Sequence, residues 1–152
     1  MKNDYKILLV EDDPDHALIA KMALKKLNQI SSIDHVADGK KALSYLFDPQ
    51  SSVAVLPNLT ILDLNLPGID GFEVLREIRN DKKLKGLPVV ILTTSRNESD
   101  VKKALELGVL EYFVKPIDLN RLSDILDSTS TIGNLKNKST DNLNWRTMSF
   151  IC

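Results

Sequence analysis

Short, nearly unbroken apolar runs alternate along this chain with longer stretches of helical periodicity, and that alternation restricts its fold more than any other feature. Tyr5-Lys6-Ile7-Leu8-Leu9-Val10 is the first run. Leu59-Thr60-Ile61-Leu62, Val89-Val90-Ile91-Leu92 and Leu110 to Val114 are others, with Ile33 to Ala37 a weaker candidate. Strands that are apolar on both faces need cover on both faces, the condition of a parallel sheet clothed by helices. The stretches between them supply the helices. Asp13-Pro14 offers a cap followed by proline at the first helical position, and Leu18, Ile19, Met22, Ala23 and Leu27 then recur at the intervals of an apolar stripe. Asp38-Gly39 precedes Ala42, Leu43 and Leu46; Asp70 can cap a helix carrying Phe72, Val74, Leu75 and Ile78. Asn97 or Ser99 can cap one carrying Val101, Ala104, Leu105 and Leu107, which Gly108 would stop in the left-handed conformation. Asp118 can cap a last helix through Leu122, Ile125 and Leu126. Strand and helix thus alternate through five pairs, which predicts an α/β fold with right-handed crossovers: a doubly wound five-stranded parallel sheet. In such sheets function gathers at the carboxyl ends of the strands.

The 152 residues fit one domain. The periodic pattern fades after about Ser128, so the expected division is a folded domain over 1–127 and a polar, flexible tail over 128–152, in which Trp145, Phe150 and Ile151 leave room for a docking segment. Residues 48–58 read as a long loop. Charge nearly cancels, with 20 Lys and Arg against 21 Asp and Glu, which argues against a global grip on nucleic acid or on an anionic membrane. Cys152 is the only cysteine, so an internal disulfide and a cysteine-rich metal site are both excluded. Two histidines make a histidine-based metal centre improbable. The charged start Met1-Lys2-Asn3-Asp4 does not read as a signal peptide, and no apolar run approaches the roughly 18 residues of a membrane span. The expectation is a cytoplasmic protein.

Residues with useful chemistry fall at the strand ends. Glu11, Asp12 and Asp13 follow the first run, Asp63 ends the third, Thr93, Thr94 and Ser95 end the fourth, and Lys115-Pro116 ends the fifth. The fold would bring Asp63 beside Glu11 and Asp12. At about 4 Å and an effective dielectric of 20, each like-charge pair costs roughly 4 kcal/mol. Either a cation offsets this or carboxyls take up protons. Hard oxygen ligands favour Mg²⁺, to which the Asn65 carbonyl could add. A carboxylate, a divalent cation, a lysine and a hydroxyl suit phosphoryl transfer: Asp63 can attack phosphorus and form an acyl phosphate, with Lys115 and Thr93 on the phosphoryl oxygens. Read singly, Thr94 and Ser95 are turn residues, and most lysines are solvated helix faces. His16, early in the first helix, could stand near this edge but reads first as a solvated residue, as does His35.

Four motifs in register resemble the receiver domain of two-component response regulators: Val10-Glu11-Asp12-Asp13, Asp63-Leu64-Asn65-Leu66-Pro67-Gly68-Ile69-Asp70-Gly71, Thr93-Thr94 and Tyr112-Phe113-Val114-Lys115-Pro116. The resemblance covers about residues 5–127 and implies the (βα)5 flavodoxin-like receiver fold. It implies Asp63 as phosphoacceptor, and Mg²⁺ bound by Asp12 and the Asn65 carbonyl, with Glu11 acting through water. Thr93 and Lys115 would contact the phosphoryl group, Tyr112 would be the aromatic that swings inward when Thr93 shifts, and Lys115-Pro116 would be a cis peptide. The partner implied is a sensor histidine kinase. Asp13-Pro14-Asp15, the 48–58 loop and the lack of an output domain are most similar to single-domain regulators associated with bacterial phytochromes, which makes such a phytochrome the candidate kinase. Output would run through a downstream phosphotransfer or effector protein, and a homodimer through the face of the fourth helix, fifth strand and fifth helix is a further possibility.

Three rivals fit less well. A haloacid-dehalogenase-type phosphatase also uses an Asp nucleophile and Mg²⁺, but typically needs a second Asp two residues on, where this chain has Asn65. A phosphorylation-independent binding module would not need the full acceptor set. A flavodoxin-like redox role would need a phosphate loop after the first strand, where this chain is acidic.

Overall fold

The computed structural model describes residues 4–48 and 56–135, the side chains of 129–135 excepted. Elements alternate as expected: β1 (Tyr5–Val10), α1 (Pro14–Leu24), β2 (Ile30–Val36), α2 (Gly39–Leu46), β3 (Leu59–Leu62), α3 (Gly71–Asn80), β4 (Val89–Thr93), α4 (Glu98–Glu106), β5 (Glu111–Val114) and α5 (Leu119–Leu135). The strands form one parallel sheet in the order β2-β1-β3-β4-β5. The order reverses between β1 and β3, so a crevice opens at the carboxyl ends of those two strands.

Alternate strand residues feed two cores. Leu8, Val10, Leu62, Val89 and Ile91 meet α2, α3 and α4 through Ala42, Leu46, Val74, Leu75, Ile78 and Ala104. Ile7, Leu9, Leu59, Ile61, Val90 and Phe113 meet α1 and α5 through Ala17, Ala20, Leu24, Leu122 and Leu126. Each large apolar side chain so enclosed contributes roughly 2 kcal/mol. Aspartates and an asparagine start the helices: the side chains of Asp13, Asp38, Asp70 and Asn97 accept first-turn N–H groups. Gly108, at φ +81, takes the left-handed position after α4 that a side chain would resist.

Three differences from the sequence reading stand out. The inward face of α1 is Ala17, Ala20 and Leu24, whereas Leu18, Ile19 and Met22 are 57%, 57% and 60% exposed. Small residues let that helix lie close to the sheet, and the large apolar residues are left outside. β2 begins at Ile30, ahead of the expected Ile33, because Tyr5 N also donates to Gln29 O and starts the edge pairing early. α5 continues to Leu135, into the segment read as tail. Trp145, Phe150 and Ile151, and most of the 48–58 loop, lie outside the described residues.

Candidate functional site

The ladder hydrogen bonds run one residue past the strands, and this fixes the backbone of the site. Glu11 N donates to Val36 O at 3.1 Å, Asp63 N to Val10 O at 3.1 Å, and Lys115 N to Thr93 O at 2.8 Å. Glu11 and Asp63, which follow β1 and β3, are buried, while Asp12 is exposed. One oxygen from each of these three carboxylates lies within 4.8 Å of the others. Gly71 completes the frame from the far side. A Cβ there would run into the Asp63 carbonyl and come within 2.6 Å of Leu64 Cα, so α3 can start against Asp63 and Leu64 only as glycine.

Lys115 offsets the negative charge. Its Nζ stands 2.5 Å from Glu11 Oε1 and 2.9 Å from Asp63 Oδ2. The remaining oxygens are also held: Glu11 Oε2 accepts from Asp13 N at 3.0 Å, and Asp63 Oδ1 from Asn65 N at 3.0 Å. Burial pushes the Glu11 carboxyl above its ordinary range against the pull of Lys115, and the charge on Asp63 pushes the same way. Burial pulls the Lys115 ammonium down, but its hydrogen bonds to Glu11 and Asp63 outweigh this and raise it. The lysine is therefore a cation held by anions. The Lys115-Pro116 peptide is cis.

The other expected site residues lie around this centre. Asn65 is exposed, and its Nδ2 donates to Thr93 Oγ1 at 3.4 Å. Thr93 is buried at the end of β4. Tyr112 is already packed inward: it is 9% exposed, and its hydroxyl donates to Ser95 O at 3.0 Å. Burial pushes its phenol up. Ser95 is more than a turn residue, because its hydroxyl donates to Asp100 Oδ2 at 2.7 Å.

Both histidines touch the site, against their reading as solvated residues. His16 Nδ1 lies 2.9 Å from Lys115 Nζ, and His35 Nε2 lies 2.8 Å from Glu11 O. One sequence signal could have found His16: it sits in the first turn of a helix that starts directly after the acidic motif. His35 sits opposite Leu9 in the β1–β2 register, which no sequence spacing reveals.

Three carboxylates with a neutralising lysine are a donor set that suits a hard cation. Ligands on one Mg²⁺ stand up to about 4.2 Å apart, so the observed spacing suits a shared ion with one carboxylate acting through water. Among the described residues no helix is long and apolar enough to cross a membrane.

The response regulator receiver domain family matches residues 7–127. Response regulator Rcp1 of Synechocystis sp. (strain ATCC 27184 / PCC 6803 / Kazusa) is 43% identical over 121 residues, spanning 76% of this chain and 80% of its own. The crystal structure of the phosphorylated cyanobacterial phytochrome response regulator RcpA is 38% identical, with a TM-score of 0.68 over 85% of this chain and 93% of that one. That of the Mn(2+)-bound form of response regulator Rcp1 is 35% identical, with a TM-score of 0.65 over 90% and 96%. Neither the phosphatase, the redox protein nor the phosphorylation-independent module is favoured beside these matches. With five parallel strands, an acidic crevice at the β1/β3 reversal and a lysine closing it, the chain belongs to the response regulator receiver family.

Proposed function

We propose that this receiver acts in the cytoplasm and accepts a phosphoryl group on Asp63 from the phosphohistidine of a sensor histidine kinase. The observation that carries the reading is the Asp63 carboxylate, buried at a strand end with Lys115 Nζ 2.9 Å from one oxygen. A carboxylate oxygen of Asp63 attacks phosphorus as the P–N bond of the donor breaks, and the electron pair of that bond leaves with the imidazole nitrogen. Lys115 stays beside the new phosphoryl oxygens and stabilises their charge, and Asn65 N orients the acceptor carboxyl. Asp12 and the Asn65 carbonyl would hold Mg²⁺ with Asp63, and Glu11 would act through water. Bound there, the ion would supply positive charge shared by the carboxylates and the phosphoryl group. Later hydrolysis at the same site would return the protein to its starting state.

The output is a change in partner preference. Thr93, whose hydroxyl accepts from Asn65 in this structure, would turn toward the phosphoryl group. Tyr112 is packed inward with its hydroxyl on Ser95 O, and phosphorylation would act by favouring one packing of this face over another. The α4–β5–α5 face would then engage a second copy or a downstream effector or phosphotransfer protein. Two observations bear on the donor. The likeness to RcpA, a phytochrome response regulator, supports a phytochrome-type kinase. The exposed Leu18, Ile19 and Met22 on α1, whose first turn adjoins the site, give the donor an apolar surface to dock on.

The test is intact mass after incubation with phosphoramidate. One phosphoryl group is expected in the presence of Mg²⁺, none after chelation, and none in Asp63→Asn. Equal labelling of Asp63→Asn would end the proposal.

A further inference from the structure

The residue least explained by phosphoryl chemistry is His16. Its side chain is 41% exposed, yet its Nδ1 lies 2.9 Å from Lys115 Nζ, across 99 positions of sequence. An ammonium carries three N–H donors and no lone pair, so the ring nitrogen must be the acceptor. Nδ1 is therefore unprotonated, and the proton of a neutral ring sits on Nε2. Nε2 in turn lies 3.9 Å from Asp13 Oδ2. That is too long for a hydrogen bond, but it places a negative charge beside the Nε2–H. The other oxygen of Asp13 caps α1, accepting from Asp15 N at 2.9 Å and His16 N at 3.2 Å. One aspartate thus starts the helix, orients the histidine and favours the tautomer that leaves Nδ1 free to accept.

The three N–H groups of Lys115 meet three acceptors: Glu11 Oε1, Asp63 Oδ2 and His16 Nδ1. Two of these belong to carboxylates that phosphoryl transfer and a bound cation would draw on. Only the third is left untouched. We propose that His16 is a positioning residue for Lys115, holding the ammonium at the crevice while its two carboxylate partners change role; this rests on the reading of Asp63 as phosphoacceptor. Lysine is a point charge on a flexible four-carbon stem, and an untethered one must be ordered again at the moment of transfer. A neutral acceptor ties it without cancelling its charge, so the full positive charge remains for the phosphoryl oxygens. A carboxylate at the same place would hold the lysine but neutralise it.

The test uses the full chain and two substitutions. His16→Leu removes the acceptor, whereas His16→Gln offers an amide oxygen that can accept in its place. With phosphoramidate and Mg²⁺, His16→Leu should lower the phosphorylation rate constant at saturating donor about ten-fold. Half-saturation for donor and for Mg²⁺ should stay within about two-fold, and His16→Gln should recover most of the rate. Independently of activity, ¹⁵N NMR of the metal-free wild type should show His16 with an unprotonated Nδ1 and a protonated Nε2, and Lys115→Met should shift the Nδ1 resonance. Wild-type rates in His16→Leu, or a protonated Nδ1, would overturn the inference. A wild type that takes no phosphoryl group overturns the phosphoacceptor reading and the catalytic half of this one, while the ¹⁵N signature still decides the His16–Lys115 link.

Discussion

Lys115, Glu11 and Asp63 could be read from the sequence because each ends a strand-like run, and parallel strands align their ends. His35 could not, and His16 only through its place in the first helical turn after the acidic motif. His16 shows no periodic signal of its own, and its partner is supplied by the far end of the chain. Tyr45 is a second case of chemistry hidden from sequence. Its hydroxyl donates to Asp34 Oδ2 at 2.5 Å, tying α2 to the edge strand β2. Burial first, and then the hydrogen bond and charge of Asp34, push its phenol up to about 12. A folded-state value above the unfolded one, about 10, means that the contribution of Tyr45 to stability is complete below about pH 10 and is lost as pH rises through about 12. Tyr45→Phe should therefore be less stable than wild type in urea at pH 8, with the gap narrowing above pH 10. A spectrophotometric titration should lose the tyrosine that ionises near 12. An unchanged titration curve would refute the Tyr45–Asp34 link.

Helix starts followed from their caps, and the end of α4 from Gly108, but the orientation of α1 did not. Pro14–Leu24 is apolar around much of its circumference, so periodicity alone could not choose a face. The choice fell to close packing, which favours Ala17 and Ala20 against the sheet. α1 therefore leaves the crevice carrying an outward apolar stripe, the surface proposed for the donor to dock on. Ile19→Glu should cut the rate of phosphoryl transfer from the phosphorylated cognate kinase about ten-fold or more, as loss of a central docking contact does. It should leave labelling by phosphoramidate unchanged, and stability should move by no more than about 0.5 kcal/mol, because the side chain is exposed. Equal loss with both donors would place the defect in the site rather than in docking. α5 shows the converse limit: its polar sequence past Ser128 gives no apolar stripe, yet the helix runs on to Leu135.

At the scale of the whole molecule, the two edges of the sheet do different work. The amino edge of β4 and β5 is clamped by Arg79, whose guanidinium donates to the carbonyls of Lys85, Leu87, Leu107 and Gly108 at 2.7–3.1 Å. A cavity of about 510 Å³ opens beside that clamp and contains none of the expected site residues. The carboxyl edge gathers Glu11, Asp12, Asp63 and Lys115, where the ladders end and side chains face the crevice. The architecture was legible because strand–helix alternation admits few topologies, and the acidic crevice followed from it. Output was not legible, because partner choice depends on surfaces rather than on periodicity. The proposed acceptor role has the sheet present one nucleophilic carboxylate, that of Asp63. It is tested most directly by labelling the protein with phosphoramidate and Mg²⁺, reducing the acyl phosphate with borohydride and mapping the product by peptide mass spectrometry. Homoserine at position 63 alone is the predicted result. Conversion of Asp12 or Asp13 with Asp63 intact, or a phosphoryl label that borohydride does not reduce, would contradict it.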